Sequence, residues 1–126
     1  MSVKQINTDL SDEQKDVLLK GATEAPGTGA LLHNDKMGMY TCANCATLLF
    51  ASGTKFDSGS GWPSFYEPAN LEAVELITDD THGMSRTEVR CKTCGGHLGH
   101  VFDDAYDQPT GQRFCINSAS LGFKEH

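Results

Sequence analysis

A mainly β domain of antiparallel sheets behind a short N-terminal helix is the fold the sequence predicts. Three observations predict it. A helix-start signal occurs once, near the N-terminus. Six short strand-like runs follow, broken by Gly, Asp and Asn clusters that leave no room for alternating βαβ units. Two Cys-x-x-Cys turns each follow one of those runs.

The chain has 126 residues, enough for one domain with its own core. Residues 1–9 are polar and read as a flexible arm, and 10–126 as a single domain. Ser11-Asp12-Glu13-Gln14 is a capping box with Ser11 as N-cap and Gln14 at the third helical position. The helix that follows should bury Val17 and Leu18 and end near Gly21. Ala25-Pro26-Gly27-Thr28-Gly29 excludes helix. The strand candidates are Met37–Thr41, Thr47–Ala51, Leu71–Thr78, Met84–Arg90, His97–Phe102 and Gln112–Leu121.

Ten Lys and Arg against 17 Asp and Glu give a formal charge of -7, which argues against an electrostatic nucleic-acid binder. No apolar run is long enough to span a bilayer, and no signal peptide is recognisable. A cytoplasmic protein, with no membrane partner, is the expectation.

Five cysteines are present. Cys42, Cys45, Cys91 and Cys94 pair as Cys-x-x-Cys, a spacing that turns two sulfurs towards one tetrahedral ion. Redox dithiols and plain burial are the competing readings. Two such motifs together favour one closed, structural Zn2+ site per chain. Gly95-Gly96 supplies backbone freedom after the second pair.

Cys115 is left over. Were its segment a strand, Arg113, Cys115 and Asn117 would share a face. A cation beside sulfur favours the thiolate, whereas a plain buried cysteine needs no such company. His97 and His100 lie three residues apart and reach one site only if the strand bulges, for which Gly99 is the candidate. Without a bulge they are ordinary half-buried histidines. Trp62, the sole tryptophan, sits in the Gly-rich loop Gly59-Ser60-Gly61-Trp62-Pro63-Ser64-Phe65, placed to line a pocket or to pack in the core.

Taken together these segments resemble the B-type methionine sulfoxide reductases. The resemblance rests on the two Cys-x-x-Cys pairs, Lys55–Gly59, Gly61–Phe65, His97–Phe102 and Arg113–Leu121, in order from about Ser11 to Leu121. Leu10-Ser11, Glu13-Gln14 and Thr23-Glu24 also match, while Gly27 stands where the family usually has Phe. The resemblance implies two antiparallel sheets with short N-terminal helices, a β-tent-like fold, and zinc remote from the active site. It implies a peptide-methionine (R)-S-oxide reductase acting on the R epimer, free or in proteins, in protein repair under oxidative stress. Cys115 would be the nucleophile, and His97, His100 and Asn117 would hold water and polarise the sulfoxide oxygen. Trp62 and Phe102 would receive the substrate methyl, and Arg113 would keep Cys115 ionised. A monomer is expected.

Many members of that family carry a resolving cysteine two residues before the Trp, where this chain has Ser60. Either this is a one-cysteine enzyme whose sulfenic acid is reduced by thioredoxin, glutaredoxin or a small thiol, or Ser60 is a Cys→Ser replacement. A zinc-stabilised binding module is the alternative from another class. A thiol peroxidase using Cys115 is a weaker one. Neither needs both the polar Cys115 face and the Trp62 loop.

Overall fold

The capping box forms as the sequence predicts. In the computed structural model, which describes residues 3–80 and 85–126, α1 spans Asp12–Lys20. Gln14 N donates to Ser11 Oγ at 3.2 Å, and Ser11 N donates to Gln14 Oε1 at 2.8 Å. Gly21 closes the helix at φ 77°, a left-handed conformation that costs glycine little. Val17 and Leu18 are buried. Through them α1 packs on β7 and on the turn after Ile116.

Among the described residues nine strands follow: β1 Gly38–Cys42, β2 Leu48–Ala51, β3 Lys55–Phe56, β4 Ser64–Phe65, β5 Val74–Asp79, β6 Arg86–Cys91, β7 His97–Phe102, β8 Arg113–Ile116 and β9 Leu121–Glu125. They form two antiparallel sheets, β2-β1-β9 and β3-β4-β8-β7-β6-β5. The fold is thus mainly β, as expected. Among the described residues one α-helix stands at the N-terminal end, where the family resemblance implied several.

Other boundaries shift for local reasons. Leu71–Ala73 winds into a 3-10 turn capped by Asn70, whose side chain accepts from Glu72 N, so the strand starts at Val74. The Met84–Arg90 candidate begins outside the described residues and is strand from Arg86. Gln112–Leu121 is not one strand. It breaks after Ile116 into the 3-10 turn Ser118–Ser120, and β9 then joins the other sheet. Leu121 pairs with Cys42 in β1, while Cys115 pairs with Ser64 and His100 in the larger sheet. Lys4–Asn7, in the predicted arm, is tied to the first Cys-x-x-Cys turn. Asn44 Oδ1 accepts from Ile6 N and Asn7 N, and Asn44 Nδ2 donates to Lys4 O.

Aromatic rings fill the space between the sheets. Phe50 of β2 stacks on Phe65 of β4 at 4.4 Å, and Tyr40 of β1 meets Phe65 edge-on at 5.1 Å. Phe114 of β8 packs on Phe50 at 5.8 Å. Such pairs add about 0.5–1.5 kcal/mol each beyond the area they bury. Alternation along β8 sends Phe114 and Ile116 into this core, and therefore turns Cys115 to the other face.

Candidate active site and metal centre

Cross-strand register assembles the site. On the outer face of the larger sheet, Ser64, Cys115, His100 and Glu88 occupy paired positions on β4, β8, β7 and β6. Phe102 pairs with Arg113 in the neighbouring row. Directly opposed residues point to the same side, so this register lays a hydroxyl, a thiol, an imidazole and a carboxylate side by side.

The two histidines reach one face because the strand is irregular. Val89 pairs with Gly99 but Arg90 pairs with His97, which leaves Leu98 as the extra residue of a bulge. The imidazole rings lie 5.6 Å apart. The bulge is next to Gly99 rather than at it, and Gly99 has a separate reason to be glycine. A Cβ there would sit 2.0 Å from the Cys115 carbonyl oxygen.

Cys115 Sγ is surrounded by donors. Arg113 Nη1 approaches it to 2.7 Å, Ser60 Oγ to 3.5 Å and Ser64 Oγ to 3.6 Å. Arg113 is fixed from behind by Asp104, which accepts from Nε at 2.9 Å and from Nη2 at 2.8 Å. This fork holds Asp104 below the usual carboxylate range and raises the already high pKa of Arg113. The guanidinium also covers the Phe102 ring at 4.5 Å. The thiol is 8 % exposed, so an incoming atom meets it only through the adjoining cavities.

Trp62, His100, Phe102, Arg113, Cys115 and Asn117 line one cavity of about 230 Å³, the scale of a single side chain. Six of the predicted residues therefore converge. Ser60 touches the sulfur from outside that lining. His97 lines an adjoining cavity with His100 and Glu88 instead. Its Nδ1 meets Glu88 Oε2 at 2.6 Å, and its Nε2 is buried without a hydrogen-bond partner among the described residues. Burial lowers the His97 pKa against the opposing pull of Glu88, keeping the ring neutral at pH 7. His100 Nε2 meets Asp79 Oδ2 at 2.9 Å.

Asn117 lies just past the end of β8. Its Nδ2 donates to Leu98 O and its Oδ1 accepts from Glu24 N. Glu24, 5 % exposed, is the residue whose part sequence reasoning missed. Its carbonyl accepts from Trp62 Nε1 at 3.0 Å, and its carboxylate accepts from Ala119 N at 2.9 Å. One loop residue thus pins both the tryptophan and the asparagine. The resemblance includes Thr23-Glu24 as a matching pair but gives it no role. Glu88, Asp79 and Asp104 were likewise unassigned, because their roles come from register and loop packing.

The four remaining cysteines gather elsewhere, and none lines the cavity. Their Sγ atoms all lie within 4.8 Å of one another, with Cys42–Cys94 at 3.7 Å and Cys45–Cys91 at 3.5 Å. A tetrahedral metal with bonds of about 2.3 Å to sulfur requires edges of about 3.8 Å, so the set fits a metal ion. The two turns are alike. Ala46 N donates to Cys42 O and Gly95 N to Cys91 O, with φ 65° at Ala46 and 80° at Gly95. Crowding raises the Cys42 pKa through hydrogen bonds with Cys91 and Cys94, and lowers that of Cys94. A divalent cation relieves this competition for protons by stabilising all four thiolates.

Comparison with known proteins identifies the family. The SelR domain model matches residues 10–125. A relative in Photorhabdus laumondii subsp. laumondii, named peptide methionine sulfoxide reductase MsrB, is 57 % identical over 117 residues, covering 93 % of this chain and 85 % of its own. A relative of the same name in Leifsonia xyli subsp. xyli is 57 % identical over 116 residues, covering 92 % and 84 %. With a donor-ringed cysteine, a four-sulfur cluster and this extent of similarity on one sheet pair, the chain belongs to the SelR family.

Proposed function

We propose that the chain is an oxidoreductase that reduces the R epimer of methionine sulfoxide, free or in proteins, to methionine. The observation that carries this reading is the seating of Cys115 Sγ at 2.7 Å from Arg113 in a cavity walled by Trp62 and Phe102. A sulfoxide sulfur is a poor electrophile until its oxygen takes a proton, so a soft nucleophile and an acid must act together. The guanidinium stabilises negative charge on the sulfur. His100, with its Nε2–H given to Asp79, hands a proton to the oxygen from Nδ1 in its imidazolium form. The N–H of Asn117 not given to Leu98 completes the polar wall, and His97 holds water behind it. The apolar rings take the methyl group, which offers no hydrogen-bonding handle.

Attack by Cys115 forms a bond to the substrate sulfur. The oxygen passes to Cys115, methionine leaves, and Cys115 is oxidised to a sulfenic acid. Ser60 cannot resolve it by a disulfide, so an external thiol, thioredoxin or another, reduces it. The four-cysteine centre would hold zinc as a structural ion, and the protein would work as a cytoplasmic monomer. In support stand the cavity lining, the closed four-sulfur set and the relatives' printed names. The test supplies each sulfoxide epimer with dithiothreitol to wild type and Cys115→Ser. Methionine from the R epimer with wild type alone is expected; turnover of the S epimer, or activity in the variant, would overturn the reading.

A further inference from the structure

We propose that the reducing thiol reaches Cys115 through a second cleft, separate from the substrate cavity, and that the charge of this cleft selects neutral or cationic thiols over anionic ones. The inference deepens the function proposed above and rests on Cys115 forming a sulfenic acid. The cleft, about 360 Å³, is lined by Phe56, Asp57, Ser60, Asp104, Asp107 and Arg113 among others. Cys115 itself lies behind this lining, separated from the cleft by Ser60 and Arg113, both of which line it and touch Cys115 Sγ, at 3.5 and 2.7 Å.

Two features make this the thiol's route. First, displacement at sulfur is in line, so the entering sulfur comes from the side opposite the departing oxygen. In the sheet, Cys115 stands between His100 on β7 and Ser64 on β4. With the oxygen handled on the His100 side, the open trajectory is from the Ser60 and Ser64 side, which is where the cleft lies. Second, the two approaches differ in charge. Among the described residues the substrate cavity is lined by Arg86, paired with Asp79, and by Arg113, paired with Asp104, and by no carboxylate, which gives it no net negative charge. The cleft sets three carboxylates, Asp57, Asp104 and Asp107, against the single Arg113, leaving two net negative charges.

The step balances. The thiol sulfur bonds to Cys115 Sγ as the S–O bond breaks, the thiol proton leaves with the hydroxide as water, and a mixed disulfide remains. A second thiol then forms its own disulfide and returns Cys115 to the reduced state. Two net charges at about 8 Å in water change the local concentration of a singly charged thiol about threefold at low salt. Between cysteamine and 3-mercaptopropionate the cleft should therefore contribute about tenfold, shrinking to about twofold at 0.5 M salt.

The experiment forms the sulfenic acid on Cys115 in one of two ways, with one equivalent of methionine R-sulfoxide or with hydrogen peroxide. It then follows the Cys115 mixed disulfide by quenched mass spectrometry with each thiol. Intrinsic thiol reactivity cancels when the cysteamine-to-mercaptopropionate rate ratio in wild type is divided by that in the Asp57→Asn/Asp107→Asn variant. A quotient near ten, together with a wild-type ratio that falls with salt, is expected. A quotient near one, or a wild-type ratio that does not fall with salt, as approach through the substrate cavity would give, overturns the proposal. The salt series uses wild type alone and decides the matter if the variant does not fold. Should the sulfoxide leave Cys115 unoxidised, the function proposed above fails, and the peroxide arm still tests the cleft.

Discussion

Adding one methyl group at Gly99 should unseat both the fold and the chemistry. A Cβ at that position meets the Cys115 carbonyl oxygen at 2.0 Å, and the Cys115 carbonyl carbon and Ile116 Cα at 3.0 Å. All three are backbone atoms of the adjacent strand, so no side chain can rotate away. Restoring ordinary contact requires β7 and β8 to part locally by about 1 Å, which stretches hydrogen bonds of about 2.9 Å beyond useful length. Overpacking of this kind costs about 1–3 kcal/mol, and each buried backbone group left unpaired adds about 1–3 kcal/mol. Gly99→Ala should therefore lose about 3 kcal/mol, seen as a fall in Tm of about 10 °C and a lower urea midpoint. Gly53→Ala is the control: its Cβ meets nothing within 4 Å, and its stability should stay within about 0.5 kcal/mol of wild type. Because His100 is the next residue and pairs with Cys115, the same shift should slow methionine formation even below the melting point. A Gly99→Ala protein with wild-type Tm and rate would refute the register argument on which the site is built.

Other expectations concern the sulfur turns and the acid limb. Ala46 adopts φ 65° where the equivalent position in the second turn is Gly95, so Ala46→Gly should raise stability by about 1 kcal/mol, measured by urea unfolding. Cys91→Ser, at a fully buried position of the four-sulfur set, should abolish the cooperative thermal transition, and a strong chelator should lower the transition temperature of wild type without abolishing it, read by near-ultraviolet circular dichroism. Stability should fall in two stages on acidification. Folded His97 titrates below its ordinary 6.5, so the unfolded chain binds the extra proton and stability declines as the pH drops through that value. Burial would raise the Glu88 pKa, but hydrogen bonds from Arg90 and His97 outweigh it and hold Glu88 below 4.5, so its contribution is lost below that pH. Urea midpoints between pH 7.5 and 4 should show both stages, and His97→Asn should flatten the upper one.

What the sequence made legible follows the range of the interactions. The capping box, Gly21 and the two sulfur turns are decided within a few residues, and all form. The alternation that brings Arg113 to Cys115 is also local. Gln112–Leu121 reads as one strand because no Gly or Pro interrupts it. Its break after Ile116 is set by long-range partners, with Asn117 bonded to Leu98 and Glu24 and Ala119 bonded to Glu24. β3 and β4, two residues each, are too short to show a period; β4 exists through pairing with β8, and β3 through pairing with β4. The acids that hold Arg113, His97 and His100 come from loops and neighbouring strands, so no spacing announces them.

The 3-10 turn Ser118–Ser120 has a consequence for how the molecule fails. Ser120 O accepts from Ala43 N of the first sulfur turn, Ser120 Oγ donates to His97 O, and Ser120 N donates to Asn117 O. One residue, Ser120, is thus common masonry for the four-sulfur set, one histidine and the segment that follows Cys115. A cluster that loses its ion should therefore blunt catalysis before the chain unravels. Amide exchange at Ala43, Asn117 and Ser120 should then speed up together, while β5 stays protected. In a cell under oxidation, fading activity would report injury to sulfurs that never meet the substrate.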